Sequence, residues 1–185
     1  MSGLYFKYGT MNSSKSANLL MIEHNYDEQD IKVLLLKPST DTREGKAVIS
    51  SRIGLSKPCI LINDDSDVEA LCRDYPVIMI DEAQFLSAAL VDRFYKISSD
   101  KVVMCFGLLT DFQRKMFPGS KRIVELCDSM QEIKSICKCG RRAVVNARFK
   151  EGKLVTEGNQ IEIGSEDKYR AMCRKCYDEL LNGMN

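Results

Sequence analysis

Apolar residues in the first two-thirds of the chain fall into short continuous blocks, residues 4–8, 33–36, 59–62, 77–80 and 102–106, each of strand length. None alternates apolar with polar, which is the pattern of parallel strands covered on both faces. Between some of them, residues 15–26, 65–73 and 84–97 carry helical spacing. In the last, Phe85, Ala88, Ala89, Asp92 and Tyr95 recur at intervals of three and four, predicting a mixed apolar face. Strand, helix and strand in repetition predict an α/β fold, an open parallel sheet with right-handed crossovers and helices on both faces. Residues 38–58 are charged and Ser-rich without a period, and read as a long functional loop. After Cys127 the texture changes, and Gly152, Gly158 and Gly164 cut the chain into short pieces. A boundary near Ser135 divides residues 1–134 from a small second domain, 135–185, predicted to end in a helix from about Lys168.

A length of 185 residues allows one α/β domain plus a small appendage, not two full-sized domains. Lys and Arg total 27 against 26 Asp and Glu, a net charge of +1. That balance argues against a surface built wholly to grip nucleic acid or an anionic membrane. The longest nearly apolar run, residues 102–109, falls well short of the roughly 18 that suggest a membrane span. The opening MSGLYFKYGT lacks a charged segment followed by an apolar one, so a cytoplasmic location is expected rather than secretion. Of eight cysteines, Cys59, Cys72, Cys105 and Cys127 stand singly and read as small buried hydrophobes.

The first strand runs into Gly9, Thr10, Met11, Asn12, Ser13, Ser14, Lys15 and Ser16, followed at once by a helical pattern. This is close to the phosphate-loop pattern G-x-x-x-x-G-K-[ST]. Consecutive backbone N–H groups curl round an anion, the helix presents its positive end, Lys15 adds charge and Ser16 can ligate Mg²⁺. Ser14 stands where the pattern has its second glycine. Alone, the stretch also reads as a Ser-rich turn capping an ordinary helix. The context decides: the block 77–80 delivers Asp81 and Glu82 at its C-terminal end, where ligands sit in open α/β sheets. Asp81 can then hold the Mg²⁺ shell while Glu82 faces a nucleophile.

The remaining cysteines come as two close pairs, Cys137 with Cys139 and Cys173 with Cys176. Four thiolates from two short knuckles are the donor set of a structural Zn²⁺ with no open position. The site is therefore expected to close a loop rather than to catalyse.

With these motifs in place the chain resembles the type II thymidine kinases, the family shared by many bacteria, large DNA viruses and the animal cytosol. The likeness runs through Gly9 to Ser16, Asp41-Thr42-Arg43, Asp81-Glu82-Ala83-Gln84-Phe85, Thr110 to Lys115, Gln160 to Gly164, Asp167-Lys168-Tyr169 and both cysteine pairs. The resemblance implies a RecA-like nucleotide-binding domain and ATP- and Mg²⁺-dependent phosphorylation of the thymidine 5′-hydroxyl, giving dTMP and ADP. It also implies dTTP as feedback inhibitor, a homotetramer, and no nucleic-acid or membrane partner. By the same resemblance Glu82 is the general base, Ala83 and Gln84 join the ATP site, and Arg43 lies near the phosphoryl path. Phe85, Phe112 and Phe117 wall the nucleoside pocket. A zinc-anchored "lasso" covers the base, reading it with the backbone of Gln160, Ile161, Glu162, Ile163 and Gly164, and Tyr169 closes the site. Three positions depart from the family pattern: Ser14, Glu162 where an apolar residue is expected, and Ser165 where a second glycine is usual.

Two rivals share these motifs. One is a phosphate-loop ATPase acting on DNA, with Asp81 and Glu82 orienting water. The other is a zinc-ribbon nucleic-acid contact, motivated by seven Lys or Arg against one Glu between residues 134 and 153. The near-neutral chain favours a solvated or subunit-contacting loop for that stretch.

Overall fold

The structure is a computed structural model that describes residues 2–40, 47–160 and 168–183. Its centre is a six-stranded, all-parallel sheet. The strands are β1 (Gly3–Tyr8), β2 (Val33–Pro38), β5 (Ile60–Ile62), β6 (Val77–Ile80), β7 (Val102–Gly107) and β8 (Ser129–Glu132), in the order β5-β2-β6-β7-β1-β8. Between them run α1 (Lys15–Asp27), α2 (Val68–Cys72), α3 (Ala88–Ile97) and α4 (Pro118–Leu126). The lack of alternation in the strands has a direct cause. Ile78, Ile80, Val103 and Cys105 pack with Leu90, Phe94 and Ile123 on one face, while Val77, Met79, Val102 and Phe106 pack with Leu19 and Leu20 on the other. Successive strand side chains point to opposite faces, so a sheet buried twice needs apolar residues at every position.

Three expectations are corrected. Residues 38–58 are not all loop: β3 (Val48–Ser50) and β4 (Ser56–Pro58) form an antiparallel hairpin. Ile49, fully buried, roots it in the second core, and Lys57 Nζ reaches Glu23 Oε1 on α1 at 2.6 Å. With two strands of three residues and one core anchor, the hairpin left no hydrophobic period to read. The helical segment 84–97 is two elements, a 3₁₀ turn at Ala83–Phe85 and then α3, whose start is capped by Ser87 accepting from Leu90 N–H at 3.1 Å. Its buried face is Leu90, Val91, Phe94 and Ile97, whereas Ala88, Ala89 and Tyr95 are exposed. Finally, Lys168 does not open a helix. Residues Lys168–Met172 form strand β13, and the last helix, α5, spans Arg174–Asn182.

The C-terminal part also contains β9 (Ser135–Ile136), β10 (Arg142–Ala143), β11 (Val145–Lys150) and β12 (Lys153–Val155). β9 and β10 pair as a knuckle, and β12-β11-β13 form an antiparallel sheet. Val145, Ala147, Phe149, Leu154 and Tyr177 make a separate small core. Cys72 and Cys105 are buried as expected, and Cys59 and Cys127 are half-buried.

Candidate active site

The loop after β1 turns sharply twice before α1. Asn12 and Ser14 both adopt left-handed backbone, with φ of 64° and 61°. Serine therefore occupies a conformation in which glycine carries no steric cost, and α1 begins without a side-chain cap from it. Lys15 is buried with its ammonium folded back on the loop, donating to Thr10 O at 2.8 Å. This loop lines a cavity of about 420 Å³, bordered on its other sides by Asp81, Glu82, Lys37, Leu108 and the hairpin residues Ser50 to Ile53.

Asp81 follows β6, and its Oδ2 accepts the Ser16 hydroxyl at 2.8 Å. Its Oδ1 is buried with no hydrogen-bond partner among the described residues. Burial, reinforced by the neighbouring Glu82 charge, pushes this carboxyl up to about 7. A carboxylate oxygen left without a partner beside a serine hydroxyl and a phosphate loop suits a divalent cation. The residues thus fit Mg²⁺ as a ligand pair.

Glu82 adopts φ 52° and ψ 38°, a strained geometry for a non-glycine residue. The turn throws its side chain into the phosphate-loop cavity. Gln84 Nε2 donates to Glu82 Oε2, and Gln84 Oε1 accepts from Leu108 N–H at 3.0 Å. Gly107 permits this, because a Cβ there would lie 2.6 Å from Gln84 Oε1. Gln84, expected at ATP, is thus buried behind Glu82. It borders a second cavity of about 310 Å³ together with Phe85, Phe117, Pro38, Asn63 and Gln160. Phe85 and Phe117 meet edge to face, centroids 5.9 Å apart. Gly119 lets α4 approach closely enough to bring Phe117 there, since a Cβ would lie 2.5 Å from Leu86 O.

Phe112 does not border this cavity. It is buried under the Arg148 guanidinium, 5.0 Å from the ring centroid. Tyr169 lies in β13 opposite Arg148 of β11. Gln160 donates to Asp111 Oδ2 at 2.9 Å. Arg43, Ile161, Glu162, Ile163, Gly164 and Ser165 lie outside the described residues.

Four sulfurs meet in the C-terminal part of the chain. Those of Cys137, Cys139, Cys173 and Cys176 all lie within 4.8 Å of one another. Backbone N–H groups of Cys139 and Cys173 hold the Cys137 thiol down at about 6, and that of Cys176 lowers Cys173. Shared hydrogen bonding with Cys139 and Cys173 raises Cys176 in return, as expected of thiols crowded round one spot. The donor set and spacing fit Zn²⁺.

Sequence reasoning missed Lys37 and the hairpin tip at the phosphate-loop cavity. Lys37 had a readable signal, a lysine closing an apolar strand much as Asp81 does. The hairpin had none.

A phosphate loop after β1 and an acidic pair after β6, with β7 between, define a phosphate-loop α/β protein, here with a cluster of four cysteine sulfurs in its C-terminal part. Comparison with known proteins narrows the class. The chain belongs to the thymidine kinase family, whose family model, "Thymidine kinase", matches residues 2–177. A thymidine kinase of Streptococcus gordonii is 42% identical over 184 residues, covering 96% of this chain and 96% of its own length. That of Agrobacterium fabrum is 43% identical over 192 residues, covering 98% and 99%. That of Zymomonas mobilis is 40% identical over 193 residues, covering all of both chains. No helix among the described residues is long and apolar enough to cross a membrane.

Proposed function

We propose that this protein transfers the γ-phosphoryl group of ATP to the 5′-hydroxyl of thymidine, producing dTMP and ADP. The observation that carries the reading is the placement of Glu82 between two cavities. Its side chain stands in the phosphate-loop cavity, while Gln84 and Phe85, just beyond it, wall the aromatic one. A phosphoryl donor and a nucleoside acceptor would meet at that carboxylate, and family membership supplies the acceptor's class.

In this reading the backbone N–H groups from Gly9 to Ser16 cradle the β- and γ-phosphates, and Lys15 follows charge onto the transferring group. Ser16 and Asp81 would hold Mg²⁺, which when bound offsets charge on the phosphate oxygens. Glu82, oriented by Gln84, accepts the 5′-hydroxyl proton as the nucleoside oxygen bonds to the γ-phosphorus and ADP departs. Phe85 and Phe117 wall the pocket that takes the nucleoside's flat apolar surface. Phe112 acts one step removed, as a platform for Arg148, whose Nη1 donates to Asn159 O at 3.4 Å at the start of the lasso. Arg43 near the phosphoryl path, the backbone of residues 160–164 on the base and Tyr169 as closure belong to the same reading.

Residues 1–134 serve as the nucleotide-binding domain and 135–185 as the lasso domain. Cys137, Cys139, Cys173 and Cys176 would hold a structural Zn²⁺ that ties the lasso's two ends together. A homotetramer, inhibition by dTTP and a cytoplasmic location complete the reading. The test is incubation with labelled ATP–Mg²⁺ and a panel of deoxynucleosides, followed by identification of the monophosphate. A nucleoside-independent hydrolysis stimulated by DNA would favour the ATPase rival instead.

A further inference from the structure

β11 carries two kinds of side chain on its two faces. Val145, Ala147 and Phe149 fill the small domain's own core, so the alternate residues Asn146 and Arg148 turn the other way. Both are buried, Asn146 at 4% exposure. Its amide is used at both ends. Asn146 Oδ1 accepts from Met11 N–H at 2.7 Å, and Asn146 Nδ2 donates to Thr110 O at 2.9 Å. The two partners fix which end is which, because a backbone N–H needs an acceptor and a carbonyl needs a donor.

Those partners belong to different sides of the site. Met11 is part of the phosphate loop and lines its cavity. Thr110 adjoins Asp111, which accepts from Gln160 at the aromatic cavity. A second link lies beside the first: the hydroxyls of Thr10 and Ser135 share a hydrogen bond. Within the loop, Ser13 N–H reaches Thr10 O at a long 3.3 Å. Two left-handed residues, Asn12 and Ser14, follow Met11, so the loop's path depends on what fixes Met11.

The geometry points to Asn146 as a positioning residue for phosphoryl transfer. One side chain of the lasso domain sets the phosphate loop and the Thr110–Asp111 turn at a fixed separation, and thereby donor and acceptor relative to each other. This inference rests on the kinase reading above. Asn146 need touch neither substrate. Phosphoryl transfer depends mainly on alignment, and a misplacement of about 1 Å can cost on the order of a hundredfold in rate.

The test compares zinc-loaded Asn146→Leu, which keeps the side chain's branched shape and removes both bonds, with Asn146→Asp, which keeps the acceptor for Met11. Hydrogen exchange of the Met11 amide is read first, in nucleotide-free protein. In Asn146→Leu it should speed up roughly fivefold or more, the loss of one net hydrogen bond. In Asn146→Asp it should stay near wild type. Steady-state kinetics should then show kcat for Asn146→Leu reduced by about 10- to 100-fold, with each KM changed far less. Unfolding midpoints and folded fractions are measured alongside. Wild-type Met11 exchange and kcat in Asn146→Leu would overturn the inference, as would a loss of kcat that merely follows the folded fraction. If Asn146→Leu does not fold, Asn146→Ala, which also removes both bonds, takes its place with the same supporting and overturning outcomes. Failure of the wild type to form any nucleoside monophosphate would refute the kinase reading, and with it the catalytic role, while Met11 exchange would still report the link between domains.

Discussion

The Ser16 hydroxyl donates to Asp81 Oδ2 at 2.8 Å, although the strands that lead to these two residues, β1 and β6, are separated by β7. The contact is possible because both residues stand beyond the carboxyl ends of parallel strands, where the sheet no longer holds their backbones apart. It leaves Asp81 Oδ1 buried and without a partner among the described residues. In the metal-free protein that carboxylate is therefore a liability, and its consequence can be measured.

Burial raises the Asp81 carboxyl to about 7 in the folded protein, against its ordinary value of 3.8. A carboxyl raised on folding favours the folded state while protonated, and that contribution fades as pH rises from about 4 to about 7. Asp81→Asn removes the ionisation. Metal-free Asp81→Asn should thus melt at a higher temperature than metal-free wild type at pH 8, with a smaller difference at pH 5. The same variant should lose the Mg²⁺-dependent part of nucleotide binding. Paired calorimetric scans in chelator, and ATP titrations with and without Mg²⁺, check both halves. A wild-type advantage at pH 8 without metal would refute the burial argument.

Ser14 yields a separate prediction. Left-handed backbone costs a non-glycine residue about 1–2 kcal/mol, partly offset by glycine's greater freedom when unfolded. Ser14→Gly should therefore stabilise the protein by somewhat under 1 kcal/mol in urea unfolding, a net of those terms. Because Ser14 already adopts φ 61°, the loop's shape should not change. ATP affinity should stay within about twofold of wild type. A large gain in affinity would mean that serine distorts the loop after all.

Much of this was legible from residue order. Continuous apolar blocks marked five of the six parallel strands, missing the polar, exposed edge strand β8, and residues 9–16 with Asp81-Glu82 and the cysteine pairs marked the chemistry. What escaped did so for physical reasons. The hairpin β3–β4 hides because Ile49 alone anchors it in the core and a salt bridge does much of the rest. The segment Lys168–Met172 looked helical because its strand identity comes from pairing with β11, distant in sequence, and not from its own pattern. Phe112 and Phe117 are chemically alike in sequence, and only the fold separates one under Arg148 from the other in the cavity. Asn146 showed no signal at all, since a lone Asn in an apolar stretch does not announce which loops it joins.

Zinc should prove structural and confined in its effect. The thiol cluster packs with Ala143 and Ala171, apart from both cores of the central sheet. Wild-type protein should carry one Zn²⁺ per chain by elemental analysis. Cys173→Ser should lose it and raise the KM for thymidine, while far-UV dichroism retains the signal of the parallel sheet and its helices. Cys173 also accepts from Cys176 N–H at the start of α5, so protease cleavage should increase first near that helix. Metal-free wild type with unchanged protease resistance would remove zinc from its anchoring role.

The base assignment can be divided between two residues. Glu82 supplies the carboxylate, and Gln84 supplies its orientation by donating to Glu82 Oε2 while its own carbonyl is fixed by Leu108 N–H. A sugar hydroxyl is a poor nucleophile near neutral pH, so a carboxylate within hydrogen-bond reach must both align it and take its proton. Glu82→Gln keeps shape and loses basicity, and single-turnover phosphorylation should fall by about 10²–10⁴-fold with ATP and thymidine binding little changed. Gln84→Leu leaves the carboxylate in place but removes both hydrogen bonds of the relay, Gln84 to Glu82 and Leu108 N–H to Gln84, that ties it to the residue after β7. Its left-handed backbone, φ 52°, still aims Glu82 toward the phosphate-loop cavity. The loss should therefore be smaller, roughly 10-fold, and should come from misalignment rather than lost basicity. The double variant separates the roles. If Gln84 acts only through Glu82, adding Gln84→Leu to Glu82→Gln should cost almost nothing further, because there is no longer a base to orient. Fully multiplicative losses in the double variant would show that Gln84 works independently, through the aromatic cavity it also borders.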